Sequence, residues 1–210
     1  LPEALDMHNK ALKTRVAVLG HEHLSVAEVK NNIAVVHAKQ GQHLLALQMW
    51  QDVLSIREKT LGHDHLQTAT TYMNIGNVLD DLGRQDEALV MLQKALQAQV
   101  KVLGHDHLNV ASTCTNIGAV YTQMGNLEKA MEYYHRALPI QEKMLGPEHL
   151  DTAKTHNNIG AVYLKQGKLA GAAEAFEKAL EIKVRVLGHE HLVAAKAKVN
   201  IGSVYDNLGE

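Results

Sequence analysis

The chain is built from one 42-residue unit that repeats without a single insertion. A Leu-Gly pair marks every copy and recurs at 19–20, 61–62, 103–104, 145–146 and 187–188. A unit of this size at a fixed spacing is the signature of a solenoid, in which each repeat packs only against its neighbours. We therefore predict a repeat protein whose core is continuous from unit to unit.

Each unit contains two stretches whose apolar residues have the spacing of one buried helix face. The sequence predicts a first helix (helix A) near 26–40, 68–82, 110–124 and 152–166. A repeated glycine (Gly41, Gly83, Gly125 and Gly167) ends this helix, and a second helix (helix B) follows, as at 86–102 and 170–186. We expect N-caps of helix A at Ser25, Asn109 and Asp151. Gly20 is expected to be a left-handed C-cap.

These elements predict an all-α fold, a right-handed α-solenoid of antiparallel helix pairs that forms a single domain over 1–210. The expected divisions are helix B and the loop of a partial repeat at 1–24, four full repeats at 25–66, 67–108, 109–150 and 151–192, and helix A of a partial repeat at 193–210. Because Glu210 followed by Leu1 would continue the pattern, we expect a fragment cut from a longer array.

Charge and composition argue against several classes of partner. The 21 Lys and Arg residues are balanced by 23 Asp and Glu residues, so the chain lacks the positive excess typical of nucleic-acid binding. No apolar run approaches the roughly 20 residues that cross a bilayer. The single cysteine, Cys114, has no partner for an internal disulfide, which is typical of a reducing compartment. We expect a cytoplasmic protein that binds neither nucleic acid nor membrane.

Histidines invite a metal hypothesis, because His-x-His with an acid between occurs at 21/23, 63/65, 105/107 and 189/191. In the fourth copy Pro147 replaces the first histidine while His149 remains, so only the second histidine belongs to the repeat. We expect it to bond the loop to a neighbouring helix rather than to bind metal. Catalytic motifs are absent, and Cys114 is expected to be a buried, unreactive thiol. The sequence predicts no enzyme, no metal and no cofactor.

Pro139 is the one residue that conflicts with its element. It falls inside a helix B, where other copies carry Ser55, Gln97 and Glu181. Proline removes a backbone hydrogen bond and costs about 3 kcal/mol in a helix interior. We predict a bend near 135–139.

Five residues of the third full repeat have the spacing of the tetratricopeptide repeat: Gly118, Tyr121, Ala130, Tyr134 and Ala137. The chain therefore resembles that family. The usual unit there has about 34 residues, and the longer unit here, with its LGHDH and LGPEH loops, resembles the repeats of kinesin light chains. The resemblance implies a concave groove lined by the A helices, which in kinesin light chains binds short acidic cargo peptides.

One asparagine recurs in helix A of every copy: Asn32, Asn74, Asn116, Asn158 and Asn200. An amide offers both donors and an acceptor, so a ladder of them can hold the backbone of an extended peptide. In the alternative interpretation each amide bonds its own or the adjacent helix and only sets the stacking. The resemblance favours the groove, and both interpretations stay open.

Further residues on the same face would determine which peptide binds. The candidates are Asn31, Asn157, Asn77, Lys154, Lys165 and Lys196. Because the groove becomes basic from Lys154 onward, we expect a protein or peptide partner with an acidic end. Two alternatives remain: a structural spacer that self-associates end to end through its terminal helices, and the sensor arm of a larger signalling protein.

Overall fold

The computed structural model describes residues 2–188 and 191–208, which form ten α-helices and no strand. The chain divides into two compact units, Leu1–Gly104 and His105–Glu210. The first unit contains α1 (Pro2–Leu19), α2 (Leu24–Lys39), α3 (His43–Leu61), α4 (Leu66–Asp81) and α5 (Gln85–Leu103). The second contains α6 (Leu108–Gln123), α7 (Leu127–Leu145), α8 (Leu150–Lys165), α9 (Leu169–Leu187) and α10 (Leu192–Leu208). Within each unit, consecutive helices pack against each other.

The A helices begin two residues earlier than expected, because the loop histidine is their N-cap. In α2, α4, α6 and α8, Nδ1 of this histidine accepts a hydrogen bond from the backbone N–H two residues later, at 3.1 Å each time. The four caps are His23, His65, His107 and His149. The N-caps predicted at Ser25, Asn109 and Asp151 are therefore wrong, since these residues lie in the first turn and donate to the imidazole.

The glycine after each A helix ends it as predicted. Gly125 has φ of +78°, and the N–H of Asn126 donates to the carbonyl of Tyr121 at 2.9 Å, which is the Schellman motif. The Leu-Gly glycine also has positive φ, yet Gly104 combines φ of 80° with ψ of 175°. That backbone conformation is essentially restricted to glycine. Gly20, where we expected a left-handed C-cap, has a positive φ of 80°.

Small residues of helix A allow close approach to bulky residues of helix B. A Cβ added to Gly118 would lie 2.6 Å from Cε1 of Tyr134, and one added to Gly160 would lie 2.8 Å from Cδ1 of Phe176. Both aromatic side chains are almost completely buried. Small residues opposite large ones thus allow α6 to approach α7 closely, and α8 to approach α9.

A ladder of ion pairs joins successive loops and helices at a constant separation of 37 residues. The acid of each loop contacts a basic residue near the end of the next helix B: Glu22 with Lys59, Asp64 with Lys101, Asp106 with Lys143, and Glu148 with Arg185. The Lys143–Asp106 pair has an N–O distance of 3.0 Å. Such exposed pairs each contribute at most about 1 kcal/mol, so their main effect is on the register between repeats.

The proline inside α7 does not divide this helix into two. α7 continues through Pro139 to Leu145 without interruption, and the bend near this residue remains a prediction. Every helix in the described part of the chain is too short or too polar to span a bilayer.

Candidate functional site

Three asparagines of the repeated column have amides without a partner among the described residues. Asn32 is exposed, whereas Asn74 and Asn158 are half-buried on α4 and α8. None of the three side chains makes a hydrogen bond to another described residue. Their amide groups are therefore available to solvent or to a ligand.

Other members of the predicted site are engaged within the protein. Nδ2 of Asn200 donates to Oδ1 of Asn157 at 2.8 Å, linking α10 to α8. The indole N–H of Trp50 donates to Oδ1 of Asn31 at 3.1 Å. Asn77 and Asn116 also have interaction partners. Within the column, Asn116 and Asn200 are therefore engaged, so the column is not uniform.

The predicted lysines differ in the same way. Nζ of Lys165 donates to the backbone carbonyl of Thr122 at 2.9 Å, at the end of α6. Lys154 is exposed on α8 and forms no ion pair with another described residue. Lys196 belongs to α10, but its side chain lies outside the described residues. Lys154 is thus the predicted lysine whose charge is free to meet a ligand.

A cavity of about 240 Å³ in the second unit brings Asn116 and Lys154 together, on α6 and α8 respectively. Its remaining lining is formed by Leu108, Asn109, Ser112, Thr115, Gln141, Leu145 and Asp151. The two predicted residues therefore share one concavity between successive A helices, with apolar walls and polar side chains. We name it the groove cavity.

The floor of the groove cavity is polar, which the sequence analysis missed. Gln141 of α7 is 4% exposed, and its Oε1 accepts a hydrogen bond from the hydroxyl of Thr155 at 2.7 Å. The signal was present in the sequence, because every copy has a long polar residue at this position of helix B: Arg15, Arg57, Gln99, Gln141 and Lys183. Their recurrence on a mostly apolar stripe predicts a buried polar layer.

In the first unit Arg57 occupies the position of Gln141. Its Nη1 donates to the carbonyl of Gln67 at 3.0 Å and to Oγ1 of Thr71 at 2.8 Å. Burial lowers the pKa of Arg57, and the nearby carboxylate of Glu28 opposes this shift. The two units therefore have different buried polar groups at this position, a guanidinium in the first and an amide in the second.

The second histidine and the acid of the described His-x-His copies have structural contacts. The second histidine caps helix A, and the acid between the two enters the 37-residue ladder. Within residues 2–188 and 191–208, no group of three or more His, Cys, Asp or Glu side chains is placed to hold a metal ion. His189 and Glu190 lie outside the described residues.

Cys114 lies deep inside the pair formed by α6 and α7. It is fully buried, and burial raises the pKa of its thiol to about 11. The thiolate is the reactive form of cysteine, so this environment disfavours nucleophilic chemistry.

Comparison with known proteins assigns the family. The tetratricopeptide repeat model matches residues 25–99, 86–143, 111–183 and 151–210. The chain belongs to the tetratricopeptide repeat family. Proteins of this family generally act as non-catalytic scaffolds for protein–protein interaction. No curated protein sequence matches the chain.

Solved structures share the fold at low sequence identity. BtubC (BKLC) from P. vanneervenii is 20% identical, with a TM-score of 0.82, over 99% of this chain and 84% of that protein. A putative kinesin light chain from Podosopora anserina with nearly identical TPR-like repeats is 22% identical, with a TM-score of 0.75, over 89% of each chain. A variant of that same protein gives 22% identity and a TM-score of 0.76, over 89% of this chain and 88% of the variant. The chain therefore has the all-α solenoid fold of kinesin light chain-like repeats, as the sequence predicted.

Proposed function

We propose that each unit of the chain binds an extended peptide segment of a partner protein along its A helices, through the asparagine column. The observation that carries this proposal is the unpartnered state of the amides of Asn32, Asn74 and Asn158 among the described residues. A side-chain amide that only set the helix stacking would have a partner in the neighbouring helix. Asn32, Asn74 and Asn158 occupy the same position of their repeats, and their amides are suited to the N–H and C=O groups of an extended peptide.

The bound segment is expected to be acidic where it meets the second unit. Lys154 brings an unpaired ammonium group to the rim of the groove cavity, beside the hydroxyl of Ser112 and the amide of Asn116. A carboxylate from the peptide would form charge-assisted hydrogen bonds there. The kinesin light chain resemblance supports this part of the proposal, because cargo peptides of that family are short and acidic. We propose further that the chain is a cytoplasmic scaffold without catalytic activity.

The test is a fluorescence-polarisation screen of acidic and neutral peptide libraries, followed by variants of the groove. Asn158→Ala should weaken the selected peptide by about tenfold, because two hydrogen bonds are lost. Asn9→Ala, an exposed asparagine of α1, is the matched control and should not change the affinity. Lys154→Glu should weaken acidic peptides and leave neutral ones unchanged.

The unfolding midpoint of each variant separates the two interpretations of the asparagine column. Unchanged affinity together with a lower midpoint for Asn158→Ala would mean that the column sets stacking, and the groove proposal would be wrong.

Light scattering over a wide concentration range tests the alternative that the chain self-associates end to end. Mass that grows with concentration would support end-to-end self-association, whereas a constant 23.1 kDa would argue against it.

A further inference from the structure

Apart from the groove cavity, each unit has a cavity lined by equivalent repeat positions. The two sets of positions lie two repeats apart in sequence. The cavity of the first unit has a volume of about 310 Å³ and is lined by His63, Asp64, Tyr72 and Lys94, among others. The cavity of the second unit has a volume of about 300 Å³, and the equivalent positions are Pro147, Glu148, His156 and Lys178. Because two residues correspond to about 200° around a helix, Tyr72 and His156 face away from Asn74 and Asn158.

In the first unit the polar groups beside this cavity satisfy one another. The hydroxyl of Tyr72 donates to the carboxylate of Glu58 and lies 2.9 Å from Nδ1 of His63. Nζ of Lys94 lies 5.5 Å from the centre of the Tyr72 ring, as a cation–π contact. The carboxylate of Glu58 therefore already has a hydrogen-bond donor inside the protein.

In the second unit His156 replaces the tyrosine, and the hydroxyl donor is lost. Glu142 is the equivalent of Glu58, and its carboxylate makes no hydrogen bond to another described residue. One carboxylate oxygen of Glu142 lies 3.8 Å from Nε2 of His156, which is too long for a hydrogen bond. An acid and an imidazole thus face each other across an open gap.

The cations around this gap are already paired. Nη2 of Arg185 contacts Glu181 at 2.8 Å and its Nη1 contacts Glu148. Nζ of Lys178 contacts Glu174 at 2.8 Å. Four carboxylates, those of Glu142, Glu148, Glu174 and Glu181, therefore surround two cations. Lys178 is attracted by Glu142, but its Nζ contacts Glu174, so Glu142 is the carboxylate without a direct cationic contact.

We propose that the cavity between Glu142 and His156 binds a basic side chain, a lysine or an arginine, of a partner protein. An ammonium or guanidinium group placed there would donate to the carboxylate of Glu142 and to Nε2 of the neutral imidazole. Its methylene stem would pack against Pro147 and Ile182, which also line the cavity. This site lies on the face away from the asparagine column and does not depend on the peptide groove.

The titration of His156 bears on the same site. Burial lowers the pKa of His156, with Glu142 of α7 and Glu174 of α9 opposing the shift and Lys178 of α9 adding to it. The imidazole is therefore neutral at pH 7 and able to accept a hydrogen bond. At acidic pH the protonated ring would take the carboxylate of Glu142 for itself and repel a cationic ligand.

The experiment is an NMR titration of the full chain with n-butylammonium and n-butylguanidinium at pH 7.5, following the amide signals of 142 and 156 and the ring signal of His156. We expect saturable shifts with both cations and none with n-butanol. Glu142→Gln should weaken binding by at least about tenfold, through the loss of a charge-assisted bond. Glu128→Gln is the matched control on the same helix, about 21 Å away at 1.5 Å per residue, and should bind normally.

His156→Tyr provides a second, independent variant. It rebuilds the arrangement of Tyr72 and Glu58, so the new hydroxyl should take one acceptor of Glu142, remove the imidazole acceptor and weaken the response of the amide signals to both cations. The absence of saturable shifts in the natural chain, an equal response in Glu142→Gln, or equal shifts with n-butanol would each overturn the proposal. Asn158→Ala should leave the response unchanged, so this result is independent of any outcome for the groove.

Discussion

Nδ1 of His107 accepts a hydrogen bond from the backbone N–H of Asn109 at 3.1 Å, and this contact is the N-cap of α6. The same bond begins α2, α4 and α8. An imidazole with one protonated nitrogen has one acceptor nitrogen, which here takes the place of the side-chain oxygen at an ordinary cap. The histidine that first suggested a metal ligand is thus the N-cap of these four A helices.

The cap predicts unequal effects for two substitutions of His107. His107→Ala should destabilise the chain by about 1 kcal/mol, because the N–H of Asn109 loses its acceptor. His107→Asn should retain most of the stability, since an amide oxygen caps well. Urea unfolding followed by circular dichroism measures both. Equal losses in the two variants would show that the ring contributes through packing rather than through Nδ1.

Gly118→Ala should destabilise the pair of α6 and α7. The new Cβ would lie 2.6 Å from Cε1 of the buried Tyr134, and forced contacts of this kind cost about 1–3 kcal/mol. The higher helix propensity of alanine offsets up to about 1 kcal/mol of this loss of stability. Gly202→Ala is the control, because a Cβ there meets no atom within 4 Å. We expect the melting temperature to decrease for the first variant and to stay level or increase for the second.

Pro139→Gln should stabilise the chain. Pro139 is exposed within α7 and has no N–H to donate to the carbonyl of His135, whereas the equivalent residue of α5 is Gln97, which has one. Restoring this N–H should raise the free energy of unfolding by about 1–3 kcal/mol. A change at the equivalent position of α9, Glu181→Gln, should have little effect. An unchanged midpoint for Pro139→Gln would show that the helix has already adapted to the missing bond.

Cys114 predicts a loss of stability at alkaline pH. Its folded pKa is raised to about 11 from an ordinary value of 9.0, so between these values only the unfolded chain releases the proton. Stability is therefore unaffected below pH 9 and falls as the pH rises from 9 to 11, by at most roughly 2–3 kcal/mol.

Comparison with Cys114→Ala isolates this contribution from the other groups that titrate at high pH. The difference in free energy of unfolding between the natural chain and the variant should be constant from pH 7 to 9 and shrink above pH 9. A difference that stays constant up to pH 10.5 would mean that the buried thiol ionises as readily as an exposed one.

The helix bounds predicted from the sequence are close to the observed ones, because the same pattern recurs in every repeat. Helix B was predicted at 86–102 and forms α5, Gln85–Leu103, one residue longer at each end. The start of helix A was wrong because histidine is a rare cap, and the more familiar capping residues Ser25, Asn109 and Asp151 follow two positions later. Nothing in local sequence preference identifies an imidazole nitrogen as the acceptor.

The candidate sites were predictable only in part, because local sequence preference does not show which side chains meet. Asn116 and Lys154 were predicted to share a face, and they line one cavity. That Asn200 bonds Asn157, while Asn158 has no partner among the described residues, depends on distances between helices that are about one repeat apart in sequence. The sequence treats all five copies of the column as equal, and side-chain packing makes them different.

The 42-residue period, with its fixed glycines and apolar stripes, determined by itself that this chain forms paired helices in a repeating array. Periodicity suffices because each helix must bury one face, and its neighbours offer the same complementary face every time. Tertiary structure alone decided which polar side chains are satisfied. The carboxylates of Glu58 and Glu142 occupy the same repeat position, yet one accepts a bond from Tyr72 and the other faces His156 across 3.8 Å. A hydrogen bond depends on tenths of an ångström between distant residues, whereas burial of a helix face does not.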